Sequence, residues 1–144
     1  IENYTPQIPG YLAHGVVGAA GDGRVSVATR RDYADAAAVV AATDGHAGAV
    51  YELGGDSITL TDLAALVADA TGQPVAYTDV TEEQLAQILV DAAGFPAPVA
   101  AVFADVDTRI KAGDLHVTSG DLERLIGHAP TSAAQAIKDA AAAL

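Results

Sequence analysis

Apolar residues recur at helical spacing over most of this chain and alternate along it only in short runs. Leu63, Leu66, Val67 and Ala70 repeat at i, i+3, i+4 and i+7, which predicts a helix over residues 62–71 with one buried face. Thr61 is placed to cap that helix and Gly72 to end it. Thr81-Glu82-Glu83-Gln84 has the spacing at which a threonine hydroxyl and a glutamine side chain each satisfy a free backbone N–H, and Leu85, Ile88, Leu89 and Ala92 extend the stripe to Gly94. Beyond Pro96 and Pro98, the line Val99, Val102, Phe103, Val106 and Ile110 predicts a helix with Asp105, Asp107, Arg109 and Lys111 on its other side and Gly113 as its stop. Helices are also expected over residues 32–42, over 122–126, and from Ser132, where Ser132 and Gln135 again have capping-box spacing.

Strand signals are brief. Residues 25–29, 50–53 and 75–79 are short β-rich runs, the second ending at Gly54-Gly55. Residues 1–24 carry Pro6, Pro9, Gly10, Gly15, Gly18, Gly21 and Gly23, so they are expected to be loop or broken helix with one helical turn over 11–17. The order predicts an α/β fold whose second half is dominated by helices, with a boundary near Gly54-Gly55. A strand over 50–53 without sheet neighbours would present unpaired N–H and C=O groups, so a homo-oligomer is expected.

Composition narrows the chemistry. The chain of 144 residues is 51% hydrophobic but only 5% aromatic, so its core must rest on Leu, Ile, Val and Ala. A formal net charge of -12, with no basic cluster beyond Arg30-Arg31, argues against nucleic acid or an anionic membrane surface as a partner. Cysteine is absent, which excludes disulfides, thiolate zinc sites and thiol nucleophiles. With no long apolar run and no basic-then-apolar leader, a cytoplasmic location is expected. The opening Ile1-Glu2-Asn3-Tyr4-Thr5-Pro6 reads as the end of a strand entering a loop, so a processed or engineered start is expected.

Familiar catalytic patterns are missing. No tyrosine is followed four residues later by lysine, and no Gly-x-Ser-x-Gly elbow occurs. His14, His46, His116 and His128 are too scattered to form a metal site, and Asp105/Asp107 and Glu82/Glu83 read as solvated helix charges. The glycines from Gly15 to Gly23 lead into a strand rather than a helix, so they read as a turn and not as a phosphate cradle. No catalytic residue is therefore assigned. Asp32 is expected as a helix N-cap with Arg30 as its ion-pair partner; alternatively Arg30 or Tyr33 reaches a cleft, where His14 would also lie.

Taken in series, Glu2-Asn3-Tyr4, Gly18-Ala19-Ala20-Gly21-Asp22-Gly23-Arg24, Ala28-Thr29-Arg30-Arg31-Asp32-Tyr33-Ala34, Tyr51-Glu52-Leu53-Gly54-Gly55, Leu60-Thr61-Asp62-Leu63-Ala64 and Leu125-Ile126-Gly127-His128 resemble the C-terminal half of NmrA-like short-chain dehydrogenase/reductases of the bacterial NAD(P)H:quinone oxidoreductase type. The resemblance implies the C-terminal part of a Rossmann-type fold, with two or three short strands and a mostly helical substrate-binding cap. Residues 1–55 would be the remnant of the Rossmann sheet with its cleft loops, and residues 56–144 the helical domain. It implies a quinone bound in the cleft, with Asn3 and Tyr4 lining both the nicotinamide and the substrate; His14, Arg30 and Tyr33, singled out above from the residues themselves, are the further substrate-side candidates. The glycine fingerprint for the pyrophosphate is absent. NADPH or NADH is thus implied for an intact parent that includes an N-terminal Rossmann half, and no cofactor and no activity for this chain alone. A non-catalytic binding, regulatory or self-assembling module is the alternative.

Overall fold

A computed structural model of the chain describes residues 1–144. After a 3-10 turn at Thr5–Gln7 come helix α1 (Ile8–His14), strands β1 (Val16–Gly18) and β2 (Val25–Val27), and helix α2 (Arg30–Ala42). Strand β3 (Asp56–Ile58), helix α3 (Leu60–Thr71) and strand β4 (Tyr77–Asp79) follow, and then helices α4 (Glu82–Asp91), α5 (Ala97–Ala112), α6 (Asp121–Ile126) and α7 (Ala133–Ala142). The fold is α/β with a predominance of helix, as the sequence pattern predicts. β1 pairs with β4 in parallel, Val17 opposite Thr78, and β2 pairs with β3 antiparallel, Ser26 opposite Ser57. Each ladder joins a strand before residue 55 to one after it.

The core forms around α3, because its apolar stripe is continuous with the alternating inward residues of the short strands. Leu60, Leu63 and Val67 are buried with Val16, Val25, Val27 and Ile58, and Ile8, Ile110 and Ile137 close the cluster. Each of these side chains contributes roughly 1.5–3 kcal/mol by leaving water. A smaller cluster sets Leu85 of α4 against Ala104 of α5 and Ala19, and another sets Leu122 of α6 against Ala36 of α2 and Ala28. No helix is long and apolar enough to cross a membrane.

Several sequence expectations change. The strand expected over 50–53 does not form: Val50 is 87% exposed, and Glu52 is held by side chains instead of a ladder, its N–H donating to Asp121 Oδ2 at 3.0 Å and its carbonyl accepting from Ser119 Oγ at 2.5 Å. The edge from which an oligomer was expected is therefore not there. β1 and β3 are strands that the glycine-rich and Asp-Ser context concealed. The cap of α3 is Thr59, not Thr61: Thr59 Oγ1 accepts from Asp62 N at 3.0 Å while Asp62 Oδ2 accepts from Thr59 N at 2.9 Å. The Thr81/Gln84 box forms as its spacing predicts. At α7 only half of the box forms, since Ser132 accepts from Gln135 N while the Gln135 amide turns to Asp139.

Helix α5 is rotated relative to its apolar line. Val99, Val102, Phe103 and Val106 are 40–65% exposed, whereas Ala100 and Ala104 are fully buried and only Ile110 of the expected line is inside. Alanines at i and i+4 let α4 and α5 approach closely, and close packing along that ridge outweighs burial of the bulkier row.

Candidate functional site

A cavity of about 420 Å³ opens between the N-terminal segment, β1 and the α4/α5 pair. Asn3, Tyr4, Gln7 and Tyr11 form one side; Val16, Val17 and Leu60 the floor; Leu85, Leu89, Phe103, Val106 and Asp107 the other side. The walls are apolar because Val16, Val17 and Leu60 border it and because α5, by its rotation, presents Phe103 and Val106 there rather than to the core. Gly18 permits this approach: a Cβ on it would lie 2.6 Å from Leu60 Cδ1 and 2.7 Å from Asp107 Oδ2.

The polar groups gather at one end. Ala19 N–H donates to Asp107 Oδ2 at 2.7 Å, which fixes the carboxyl at the rim of β1. Burial pushes the Asp107 carboxyl above its ordinary 3.8; the Ala19 N–H pulls it partway back and the Asp79 charge adds to the rise. Burial, then the Asp107 charge, pushes the Tyr4 phenol up to about 12, and Tyr11 rises from burial and from Tyr4 and Asp107. These phenols therefore stay protonated and can donate throughout the physiological range. Beside them Tyr77 donates to Asp79 Oδ1 at 2.7 Å, which lowers the Asp79 carboxyl, while burial first and then this bond raise the phenol, and Gly21 N–H donates to the same oxygen at 2.9 Å. The arrangement is an apolar slot with hydrogen-bond donors at one end.

Of the residues singled out in the sequence, the cavity brings together Asn3 and Tyr4. Asn3 is exposed and its carbonyl accepts from Gln7 Nε2 at 2.7 Å. His14 is exposed at the end of α1, outside the lining. Arg30 is exposed; its backbone N–H donates to the Glu2 carboxylate at 2.9 and 3.1 Å, and it forms no ion pair with Asp32. Asp32 is not the N-cap of α2. Thr29 is, accepting from Asp32 N at 3.1 Å. Tyr33 packs with Leu53 against Ala28, Ala36 and Leu122, away from the cavity. Tyr11 and Phe103 are lining residues that sequence reasoning passed over, and Asp107, read from the sequence as a solvated helix charge, is instead a part-buried lining residue held by the Ala19 N–H. For Asp107 a signal existed, because it sits three residues past Ala104 and three before Ile110, on the face those buried residues define.

A second depression, about 390 Å³, lies between Asp56, Ile58, Asp62 and Ala134. Its carboxylates are already committed, Asp56 Oδ2 accepting from Ala133 N at 2.8 Å and Asp62 closing the cap of α3. It is a structural groove. No three His, Asp or Glu side chains converge as a metal site.

Over 138 residues the chain is 45% identical to quinone oxidoreductase 2 of Escherichia coli, an alignment covering 94% of the chain and 48% of that protein. The similarity is thus confined to about half of that protein's length. The crystal structure of the E. coli NADPH-dependent quinone oxidoreductase superposes with a TM-score of 0.90 at 44% identity, over 96% of this chain and 50% of that one. Its NADPH complex gives 0.91 at 42% identity. The Citrobacter triphenylmethane reductase complexed with NADP(H) gives 0.85 at 31% identity, over 94% of this chain and 47% of that one. The chain thus spans about half the length of the reductases it matches. No family model matches it.

Proposed function

We propose that this chain supplies the acceptor-binding part of an NAD(P)H-dependent quinone oxidoreductase, in which a nicotinamide, NADPH or NADH, held largely by a separate Rossmann half reduces a quinone lying in the cavity at Tyr4. The observation that carries this reading is the apolar slot with donors at one end, in a chain 45% identical to a quinone oxidoreductase. Apolar walls suit a flat ring, and the donors suit its carbonyl oxygen. Residues 1–55 contribute strand and cleft-loop material, with Asn3 and Tyr4 facing both nicotinamide and acceptor, and residues 56–144 contribute the helical cap. His14, Arg30 and Tyr33 fit a substrate role less well, since none of them lines the slot. The working location proposed is the cytoplasm.

By itself the chain is expected to be inactive, because it contains no glycine-rich turn opening a helix on which a pyrophosphate could sit. The test is to assay it with NADPH, with NADH and with 2-methyl-1,4-naphthoquinone, alone and with an N-terminal half of the E. coli relative supplied separately. Turnover only in the mixture supports the reading. Turnover by the chain alone at the rate of an ordinary reductase overturns it.

The exposed row Val99, Val102, Phe103 and Val106 favours a second reading, a non-catalytic module that associates with itself or another chain. Sedimentation as a concentration-independent monomer counts against self-association.

A further inference from the structure

We infer that Asp107, in its protonated form, is the hydrogen-bond donor that recognises the carbonyl oxygen of the ligand in the apolar slot. The inference rests on the acceptor-cleft reading above and names the group that reads the acceptor's polar atom.

Three observations lead to it. Asp107 lines the slot from α5, together with Tyr4 and Tyr11. Its Oδ2 is taken by the Ala19 N–H at 2.7 Å, the only hydrogen bond the carboxyl makes within the chain, so Oδ1 is left without a protein partner beside the slot. No cation offsets it there: it forms no ion pair, and Lys111, one turn further along α5, lies instead toward Gly21. A carboxyl placed among Val17, Leu60 and Val106 has little to stabilise its charge, which favours the proton and makes Oδ1 a donor. The titratable groups that face it are Tyr4 and Tyr11 from the N-terminal segment and Tyr77 and Asp79 from β4. The phenols stay neutral, and Asp79 favours the protonated form of Asp107.

The sign of the pH dependence follows. The folded pKa of Asp107 is raised, so the donor is present below it and is lost as the pH rises through it, when Oδ1 becomes a charge facing the carbonyl lone pairs. An Asn at this position keeps the geometry, since its oxygen can accept from Ala19 N–H while its amide donates at every pH.

Binding of 2-methyl-1,4-naphthoquinone to the whole chain, followed by titration calorimetry between about pH 4 and about pH 8, tests the inference, with 2-methylnaphthalene as the probe lacking carbonyls. Wild-type affinity for the quinone is expected to fall about tenfold across the range, Asp107→Asn to hold the low-pH affinity throughout, and the hydrocarbon to show no such dependence. Circular dichroism at each pH confirms that the chain is folded. Equal pH dependence in wild type and Asp107→Asn overturns the assignment while leaving the quinone reading intact. If neither protein binds the quinone at any pH, both are overturned.

Discussion

Asp32 and Thr131 are 99 positions apart in sequence, yet Thr131 N–H donates to Asp32 Oδ2 at 3.1 Å. The same oxygen accepts from Thr29 Oγ1 at 2.6 Å, so one buried carboxylate ties the cap of α2 to the loop entering α7. Burial alone would raise this carboxyl, but the hydrogen bonds from Thr29 and Thr131 outweigh it and hold the group below its ordinary 3.8. Asp32→Ala is expected to lower stability by about 2–3 kcal/mol in urea denaturation, because it strands Thr131 N–H and loosens the cap. With a depressed folded pKa, the contribution is complete above the unfolded value and is lost as pH falls through the folded one. The gap between wild type and Asp32→Ala should therefore narrow on acidification below about pH 4; a gap that widens would contradict this.

The two capping boxes give a local test. Thr59→Ala and Thr81→Ala should each cost about 1 kcal/mol, as each hydroxyl satisfies an otherwise free backbone N–H, at Asp62 and at Gln84. Thr61→Ala should be nearly neutral, because its exposed side chain makes no hydrogen bond within the chain. Thermal melts of the three variants separate the assignments, and a larger loss for Thr61 than for Thr59 would return the cap to Thr61.

The contrast between Thr59 and Thr61 shows where sequence reading stops. Helices with a single strong stripe, such as α3, were legible, since the i, i+3, i+4 repeat of Leu63, Leu66 and Val67 leaves one way to bury them. The cap was ambiguous because Thr59 and Thr61 are both good caps, although only Thr59 stands three residues before Asp62. All four strands have three residues, and β2 and β4 were legible because β-rich residues run past them over 25–29 and 75–79, whereas glycines around β1 and the Asp-Ser start of β3 hid those two and the isolated run at 50–53 misled. The site was half legible. Asn3 and Tyr4 came from resemblance, but Asp107 depended on the rotation of α5, set by alanine packing at Ala100 and Ala104 that a search for large apolar residues overlooks.

Gly23 is predicted to be intolerant of any side chain. A Cβ there would stand 2.5 Å from the Ile110 carbonyl oxygen and 2.6 Å from Lys111 Cα, both backbone atoms of α5 that cannot swing aside. Gly23→Ala should cost about 1–3 kcal/mol by overpacking. Gly10→Ala, with no atom within 4 Å of the added methyl, is the control expected to be neutral or slightly stabilising in α1. Similar melting temperatures for the two variants would show that the loop gives way.

Phe103 separates a role in the slot from a role in folding. Its ring is 52% exposed yet lines the cavity, stacked on Phe95 at a centroid distance of 5.3 Å and an interplanar angle of 17°. A half-exposed ring contributes little to the core, so Phe103→Ala should cost about 1 kcal/mol of stability or less. On the acceptor-cleft reading it should cost more in binding, about tenfold in affinity for 2-methyl-1,4-naphthoquinone, because the truncated wall no longer covers a ring face. Val102→Ala, at a position 65% exposed and outside the cavity lining, should leave that affinity unchanged. Equal affinities for wild type and Phe103→Ala would take α5 out of the binding wall and leave its exposed row to the assembly reading, whereas loss in both variants would point to a general loosening of α5 rather than to ring contact.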